Sequence, residues 1–415
     1  MRWLPGGDSR TVITFSPYPL YIDQASGCRM VDVDGNVYLD FLGNYTSMIH
    51  GHGHPEIVAA ISAQSARGTG YAAATPLQID LAEVLCRRVE SVESIRFCNS
   101  GTEATLNALR AARAVTGRET ILKVEGGYHG SHDLVEISVA PNPLRAGPAS
   151  RPLSIPEEPG IPDSVVAAVA TAPFNDASAF MEIARRTRPA AIILEPMLGA
   201  TGTIPPEPGF LEAARTVADD TGAILIFDEV ITLRLAEGGA QELYGVRPDL
   251  TTFGKVIGGG LPVGAFGGRS DIMELYAPPE PTLVQSGTFN ANPLTMAAGL
   301  AAMRLLDADA IAMINRLGRR LADGLEKALA DAGMAGQVTG EGSLRTIHFT
   351  SEPVRDYRSK ATADPAVQKA FHLGLLNRGI FTAPRGMFVV STAMGESEMD
   401  ECVEAVRGVL TLLAS

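Results

Sequence analysis

The stretch of sequence that decides the fold reads Ala223-Ile224-Leu225-Ile226-Phe227-Asp228-Glu229-Val230. Its first five residues are apolar and favour extended backbone, which is typical of a strand buried on both faces of a parallel sheet. Asp228 follows directly, so a carboxylate stands at the carboxyl end of the predicted strand. Open parallel sheets bind their ligands at this end of the strands. The stretch therefore predicts both a buried sheet and the edge at which a ligand binds.

A second stretch places one lysine in a loop of small residues. It reads Thr251-Thr252-Phe253-Gly254-Lys255-Val256-Ile257-Gly258-Gly259-Gly260. The small neighbours allow the Lys255 amine to approach a bound aldehyde, which makes Lys255 the candidate Schiff-base lysine. A solvated loop charge is the alternative for Lys255 alone. Its combination with Asp228 favours catalysis, because pyridoxal phosphate requires an amine that forms an imine and an anion that keeps the pyridine nitrogen protonated.

A polar turn at residues 99–102 is the predicted phosphate-binding element. The strand-like run Ile95-Arg96-Phe97-Cys98 leads through this turn into an alanine-rich helical segment. Helix N-termini bind anions through free N–H groups and the positive end of the dipole, and the Ser100 and Thr102 hydroxyls add donors. Ser100 and Glu103 also match an ordinary capping box, which needs no ligand.

The pair Tyr128-His129 follows another strand-like run, at 120–124. An aromatic side chain at a strand end can lie over a flat cofactor. The alternative is a loop aromatic that covers the core.

Five motifs stand in the order found in the class III pyridoxal-phosphate aminotransferases of fold type I: Ser100-Gly101-Thr102, Tyr128-His129, Asp228-Glu229-Val230, Lys255 and Gly287-Thr288-Phe289. The chain resembles this family from about Pro5 to its C-terminus. The resemblance implies that Lys255 binds pyridoxal 5'-phosphate covalently and that Asp228 pairs with the pyridine nitrogen. It also implies the remaining cofactor contacts: Ser100, Gly101 and Thr102 on the phosphate, Tyr128 and His129 over the ring, and Val230 on its other face.

The same resemblance predicts the architecture. It implies an α/β fold with a large domain around a mostly parallel seven-stranded sheet, plus a small α+β domain built from both termini. We expect residues 1–49 and 301–415 to form the small domain and residues 50–300 the large one. Thr288 is expected to reach the phosphate of the neighbouring subunit, which implies a homodimer with shared active sites.

Composition limits the classes of partner. The chain has 415 residues, 46% of them hydrophobic, and a formal net charge of −13, so it is long enough for a large core in two domains. The acidic balance argues against nucleic acid or an anionic membrane, because both bind basic surfaces. Residues 1–7 contain no apolar signal segment, and no later stretch is apolar over a bilayer's thickness. A cytoplasmic location is predicted.

Neither a metal nor a disulfide framework is predicted. The four cysteines are dispersed without CxxC spacing. The run His50-Gly51-His52-Gly53-His54-Pro55 offers three imidazoles, but glycines between ligands do not preorganise coordination. The aminotransferase family has a similar Gly-His-x-His-Pro turn, so a structural role is the better interpretation.

Substrate choice depends on residues outside the shared machinery, and two arginines stand out. Arg10 and Arg385 each carry a planar fork that can bind a carboxylate through two hydrogen bonds. The alternative for each is an exposed loop arginine. Leu198 also matters, because many relatives carry a polar amide at its position, near the phenolic oxygen of the cofactor.

Within class III, two branches are similar to this sequence. The Pro5-Gly6-Gly7 start and the run 258–265 look like the glutamate-1-semialdehyde aminomutases. That branch carries its N-terminal arginine slightly later and lacks a Pro-Arg-Gly near the C-terminus. Both features resemble the β-amino-acid aminotransferases, such as the β-phenylalanine enzymes, in which two arginines bind the carboxylates of donor and acceptor. The predicted activity is transfer of the amino group of a β-amino acid, one with an aromatic substituent, to a 2-keto acid. The alternative is glutamate-1-semialdehyde 2,1-aminomutase.

Overall fold

The computed structural model describes residues 3–13 and 19–414. Residues 1, 2, 14–18 and 415 lie outside the described residues, and they include parts of the predicted segments 1–7 and 1–49. The strands are, in chain order, β1 (Ile22–Ser26), β2 (Arg29–Asp32), β3 (Val37–Asp40), β4 (Ser94–Cys98), β5 (Ile121–Val124), β6 (Val169–Ala172), β7 (Ala191–Leu194), β8 (Ile224–Asp228), β9 (Leu250–Gly254), β10 (Gly264–Gly268), β11 (Gln337–Thr339), β12 (Leu344–His348), β13 (Ile380–Phe381) and β14 (Met387–Val389).

Helices connect and cover these strands. They are α1 (Gly43–Thr46), α2 (Pro55–Ser65), α3 (Pro76–Arg88), α4 (Gly101–Thr116), α5 (Asp163–Ala167), α6 (Ala177–Thr187), α7 (Phe210–Thr221), α8 (Ala240–Tyr244), α9 (Ser270–Met273), α10 (Pro293–Leu305), α11 (Ala308–Asp331), α12 (Tyr357–Lys360), α13 (Pro365–Leu376) and α14 (Glu396–Ala414). Short 3-10 helices lie at Pro5–Gly7, Thr11–Ile13, Thr232–Leu235, Lys255–Gly258 and Glu274–Tyr276.

The large sheet has seven strands in the order β4-β10-β9-β8-β7-β5-β6. β10 runs antiparallel to both of its neighbours, and the other pairs are parallel. Because β10 reverses direction on both sides, β4 runs in the same sense as β9. The carboxyl ends of β4, β5, β7, β8 and β9 therefore meet at one edge of the sheet. This arrangement confirms the predicted α/β fold with a mostly parallel seven-stranded sheet.

Side chains alternate between the two faces of this sheet, and both faces are buried. In β8, Leu225 and Phe227 pack into a core with Phe210 and other residues of the α6–α7 side. Ile224 and Ile226 belong to a second core, which includes Leu109 of α4. A strand that is apolar on both faces must be covered by helices on both sides. The candidate site lies at the carboxyl edge of this covered sheet.

Two smaller sheets lie outside the large one. β1, β2 and β3 form an antiparallel unit in which an Asp-Gly-Asn turn at 34–36 connects β2 and β3, and β13 joins it parallel to β3. β11, β12 and β14 form an antiparallel sheet. Residues near both ends of the chain thus share one sheet, while the predicted domain boundaries at 49/50 and 300/301 stay predictions. Within the described ranges, no helix combines the length and apolar character that crossing a membrane requires.

Candidate active site

Seven of the predicted site residues line one cavity of about 210 Å³ at the carboxyl edge of the large sheet: Gly101, Thr102, Tyr128, His129, Asp228, Val230 and Lys255. They end or follow four strands of this sheet, β4, β5, β8 and β9. The sheet order therefore brings together motifs that are up to 154 positions apart, from Gly101 to Lys255.

Lys255 follows β9 directly and begins a 3-10 helix. Its φ is +50°, in the left-handed region that a lysine seldom occupies. Burial lowers the pKa of its amine to about 8, although the charges of Asp228 and Glu195 raise it. Lowering the pKa of Lys255 increases the fraction of free amine near neutral pH, which is the form that attacks an aldehyde or accepts a proton.

Asp228 is the last residue of β8 and is held by two contacts. One oxygen accepts a hydrogen bond from Val230 N at 3.2 Å, and the other lies 2.9 Å from His129 Nδ1. The carboxylate can only accept, so His129 donates from Nδ1. Burial lowers the pKa of His129 despite the neighbouring charge of Asp228, which favours a neutral ring. His129 therefore orients the carboxylate, a contact that the sequence did not predict.

The predicted phosphate turn lies at the N-terminus of α4. Ser100 is the N-cap, and its Oγ accepts a hydrogen bond from Glu103 N at 3.1 Å. Only half of the predicted capping box forms, because the Glu103 carboxylate accepts from Asn99 N instead of Ser100 N. Thr102 Oγ1 accepts a hydrogen bond from Ser131 N. The first N–H groups of a helix have no partner within it, so this end of α4 suits an anion.

Glu195 is a cavity residue that the sequence analysis did not assign to the site. It follows β7, and the register Leu194↔Phe227 places it beside Asp228. Its carboxylate accepts hydrogen bonds from Tyr128 N at 3.1 Å and Gly199 N at 2.9 Å. Burial, followed by the charge of Asp228, raises the pKa of Glu195 to about 7. The available signal was an acid at the end of an apolar strand, the same signal that identified Asp228.

Leu198 does not line this cavity. It is fully buried and pairs with Ile204 through an isolated β-bridge. Its side chain belongs to the apolar core on the α6–α7 side of the sheet.

Arg10 and Arg385 lie on the same aromatic ring. Their guanidinium carbons are 5.5 Å and 5.3 Å from the centre of the Tyr45 ring, which is within cation–π range. Both positive charges lower the pKa of Lys255, so both lie close enough to affect its charge. The structure therefore brings the two predicted carboxylate-binding residues together on one ring, although neither lines the Lys255 cavity. Tyr45, which joins them, was not predicted.

An unusual backbone turn presents Tyr45. In α1 the φ angles of Asn44, Tyr45 and Thr46 are +48°, +53° and +79°, so the turn is left-handed. This conformation costs about 1–2 kcal/mol for each residue other than glycine. Asp40 accepts hydrogen bonds from two backbone N–H groups at the start of the turn, and Arg234 donates one to Thr46 O at 3.4 Å. Strained backbone of this kind is common at functional sites.

Arg234 itself is fully buried. It also donates hydrogen bonds to Ser343 Oγ at 2.9 Å and to Val390 O. Arg234 lies in the 3-10 helix that follows β8, so one side chain connects the Asp228 strand with the turn that carries Tyr45.

His50 and His52, from the histidine run at 50–54, form hydrogen bonds with different partners. His52 lies 2.8 Å from the same Asp40 carboxylate that caps the Tyr45 turn. His50 contacts Thr392 Oγ1 and Ala302 O. These contacts give both rings structural roles.

Thr288 lies outside the Lys255 cavity. It is exposed and lines a separate cleft with Tyr71 and Asn292. Its predicted contact with a neighbouring subunit stays a prediction.

The residues around the cavity fit pyridoxal phosphate. An aldehyde would meet the Lys255 amine, a basic ring nitrogen would meet the carboxylate of Asp228, and a phosphate would meet the N-terminus of α4. The His129–Asp228 hydrogen bond supports this assignment, because it orients a buried acid toward the cavity without neutralising it by an ion pair to lysine or arginine.

Comparison with known proteins identifies close relatives. A sequence model of the aminotransferase class-III family matches residues 14–410. The chain is 42% identical over 413 residues to a glutamate-1-semialdehyde 2,1-aminomutase of Methanothermobacter thermautotrophicus, covering 98% of this chain and 96% of that protein. Among solved structures, an omega-transaminase from Sphaerobacter thermophilus is 43% identical, with a TM-score of 0.96 and coverage of 99% and 94%. A β-phenylalanine aminotransferase from Variovorax paradoxus is 38% identical, with a TM-score of 0.89 and coverage of 98% and 90%.

Proposed function

Because the chain belongs to the class III aminotransferase family and is a pyridoxal-phosphate-dependent transaminase, we propose that it moves the amino group of a β-amino acid to a 2-keto acid. When bound, the cofactor supplies an electron sink that stabilises negative charge on the substrate carbon bearing the nitrogen. The substrate class is the part of this proposal that goes beyond family membership.

We assign the chemical roles to residues of the cavity. Lys255 is the covalent attachment point, and its free amine then accepts the proton from the substrate carbon. Asp228, oriented by His129, keeps the ring nitrogen protonated. Ser100, Gly101 and Thr102 bind the phosphate.

The observation that carries the substrate proposal is the pairing of Arg10 and Arg385 across Tyr45. A transaminase acts on two substrates in turn, and the amino donor and the keto acid each carry a carboxylate. Two guanidinium groups that share one aromatic ring allow each carboxylate its own partner. A β-amino acid carries its nitrogen one carbon farther from its carboxylate than an α-amino acid does. The similarity to the Variovorax β-phenylalanine aminotransferase supports this substrate and favours an aromatic substituent.

Glutamate-1-semialdehyde 2,1-aminomutase is the second candidate, and the curated relatives favour it over the β-amino-acid substrate. Several aminomutases are 40–42% identical to this chain over 97–99% of its length. An aminomutase isomerises one molecule and consumes no acceptor. Its substrate has a single carboxylate, so it leaves the second arginine without a substrate partner.

One experiment separates the two candidates. The purified enzyme is given β-phenylalanine with pyruvate or 2-oxoglutarate, and glutamate-1-semialdehyde in a parallel reaction without acceptor. We expect stoichiometric transfer of nitrogen from β-phenylalanine to a keto acid. Rapid isomerisation of glutamate-1-semialdehyde, with no transfer from any β-amino acid in a panel, would establish the aminomutase instead.

We also propose that the enzyme is a cytoplasmic homodimer in which Thr288 completes the partner's phosphate site. Thr288 is exposed and lines a cleft that shares no residue with the Lys255 cavity, which supports a role in a neighbouring subunit. Analytical ultracentrifugation of the active enzyme tests it, and an active monomer at assay concentration would exclude it. Thr288→Val is expected to weaken cofactor binding without changing the sedimentation coefficient.

A further inference from the structure

A second cavity, of about 540 Å³, lies between α12, α13 and the loop that contains Arg385. It is larger than the cavity at Lys255, and the two share no lining residue. Three positively charged side chains line it, Lys360, Lys369 and Arg385. Asp364 is the only acid among its lining residues, all of which fall in the described part of the chain.

The charges in this cavity are not neutralised by the protein. Lys360 is half-buried and makes no hydrogen bond or ion pair with any residue that the structure describes. Asp364 is exposed and caps α13, where it accepts hydrogen bonds from Ala366 N and Val367 N. Burial and the charge of Arg385 both lower the pKa of Lys360. Two like charges consequently line the same cavity, and neither forms an ion pair with an acid that the structure describes.

Two residues that line this cavity also carry buried hydrogen-bond donors without a partner in the described chain. Arg385 Nε and Gln368 Nε2 are buried and have no hydrogen-bond partner among the residues described. The two histidines that line the cavity, His348 and His372, add no charge near neutral pH, because burial lowers the pKa of each to about 4. Buried donors and unpaired cations are costly unless a ligand satisfies them.

We propose that this cavity binds a carboxylate anion between Lys360 and Arg385. The proposal rests on the proposed function, in which Arg385 orients the substrate carboxylate. A carboxylate accepts hydrogen bonds at both oxygens, which matches a guanidinium on one side and an ammonium on the other. It can be the second carboxylate of a dicarboxylic keto acid such as 2-oxoglutarate, or a free carboxylate that binds beside the substrate.

The test compares the unmodified enzyme with Lys360→Met, which removes the charge and retains side-chain length. Lys360→Arg retains the charge, and Lys327→Met removes an exposed lysine of α11 as a matched control. In titration calorimetry with succinate, we expect Lys360→Met to weaken binding by at least about tenfold, and the other two variants to stay within about threefold of the unmodified enzyme. Thermal unfolding of all four proteins identifies any variant that does not fold.

Acceptor kinetics then distinguish the two sources of the carboxylate. If it belongs to the substrate, Lys360→Met raises KM for 2-oxoglutarate by about tenfold and leaves KM for pyruvate unchanged. If it is a free anion, succinate changes KM for pyruvate in the unmodified enzyme and loses this effect in Lys360→Met. Unchanged succinate binding together with unchanged acceptor preference in a folded Lys360→Met protein overturns the proposal. Failure of every β-amino acid to react would overturn the proposed function alone, since the calorimetric result does not depend on turnover.

Discussion

Replacing Arg385 with methionine separates a substrate-binding arginine from a structural one. Arg385 is half-buried, makes no ion pair with a described acid, and lies 5.3 Å from the centre of the Tyr45 ring. Removing it therefore leaves no acid unpaired in the described chain. We expect the free energy of unfolding to stay the same or to rise slightly, because an uncompensated buried charge is lost.

The effect on catalysis is expected to be large. Loss of a buried charge pair to a substrate carboxylate costs about 2–5 kcal/mol of transition-state binding, which is about 30- to 5,000-fold in kcat/KM. Arg10 is exposed and donates a hydrogen bond to Asn44 Oδ1 at 2.7 Å. Because solvent screens an exposed pair, Arg10→Met is expected to cost about 1 kcal/mol or less, which is up to about fivefold.

The pH dependence provides a second measurement. The charge of Arg385 lowers the pKa of Lys255, so its removal raises that pKa. The fraction of free amine at a given pH then falls, and the acid limb of proton abstraction moves to higher pH.

Rapid-mixing kinetics of the two half-reactions test this reasoning, with β-phenylalanine as donor and 2-oxoglutarate as acceptor. We expect Arg385→Met and Arg10→Met to affect the two half-reactions unequally. Equal losses in both half-reactions, accompanied by a drop in unfolding temperature, would refute the assignment and make Arg385 a structural residue.

Three further predictions concern the catalytic centre. Lys255→Ala is expected to abolish covalent cofactor attachment and nearly all turnover, and peptide mapping after borohydride reduction checks that the unmodified protein carries its cofactor on Lys255 and on no other lysine. Asp228→Asn is expected to bind the cofactor yet lose several orders of magnitude in single-turnover proton abstraction, because an amide does not stabilise the protonated ring nitrogen; a near-normal rate would contradict the role of Asp228. Glu195→Gln removes a charge that raises the pKa of Lys255, so the pH at which Lys255 of the apoenzyme becomes reactive toward an acylating reagent should fall, opposite to the shift in Arg385→Met.

Local sequence was sufficient to predict those elements whose hydrophobic pattern is strong. The apolar run ending at Asp228 predicted β8, and the strand-like runs 95–98 and 120–124 correspond to β4 and β5. The direction of β10 was not predictable in the same way. Its run Gly264–Gly268 has the composition of a buried strand, but only pairing with β4 and β9 determines that it is antiparallel.

Contacts that depend on sheet order were also beyond local sequence. His129 follows β5 and Asp228 ends β8, and β7 lies between these strands in the sheet. No spacing along the chain encodes their hydrogen bond. The left-handed turn at Tyr45 has a weak signal, since glycine and asparagine tolerate positive φ, but tyrosine and threonine seldom do. Tertiary contacts from Asp40 and Arg234 override this local preference.

The buried position of Arg234 bears on the distance between the catalytic lysine and the two arginines. Arg234 joins the segment after Asp228 to two carbonyl groups: that of Thr46, the residue after Tyr45 in α1, and that of Val390, which follows β14, the strand after the loop that contains Arg385. If Arg10 and Arg385 bind substrate carboxylates as proposed, the distance between Lys255 and the carboxylate-binding groups depends on backbone segments that Arg234 holds together. On the proposed function, placing the two arginines in a relative that lacks the Arg234 contacts would transfer their charges but not their positions, so we expect that the preference for a β-amino acid would not be transferred.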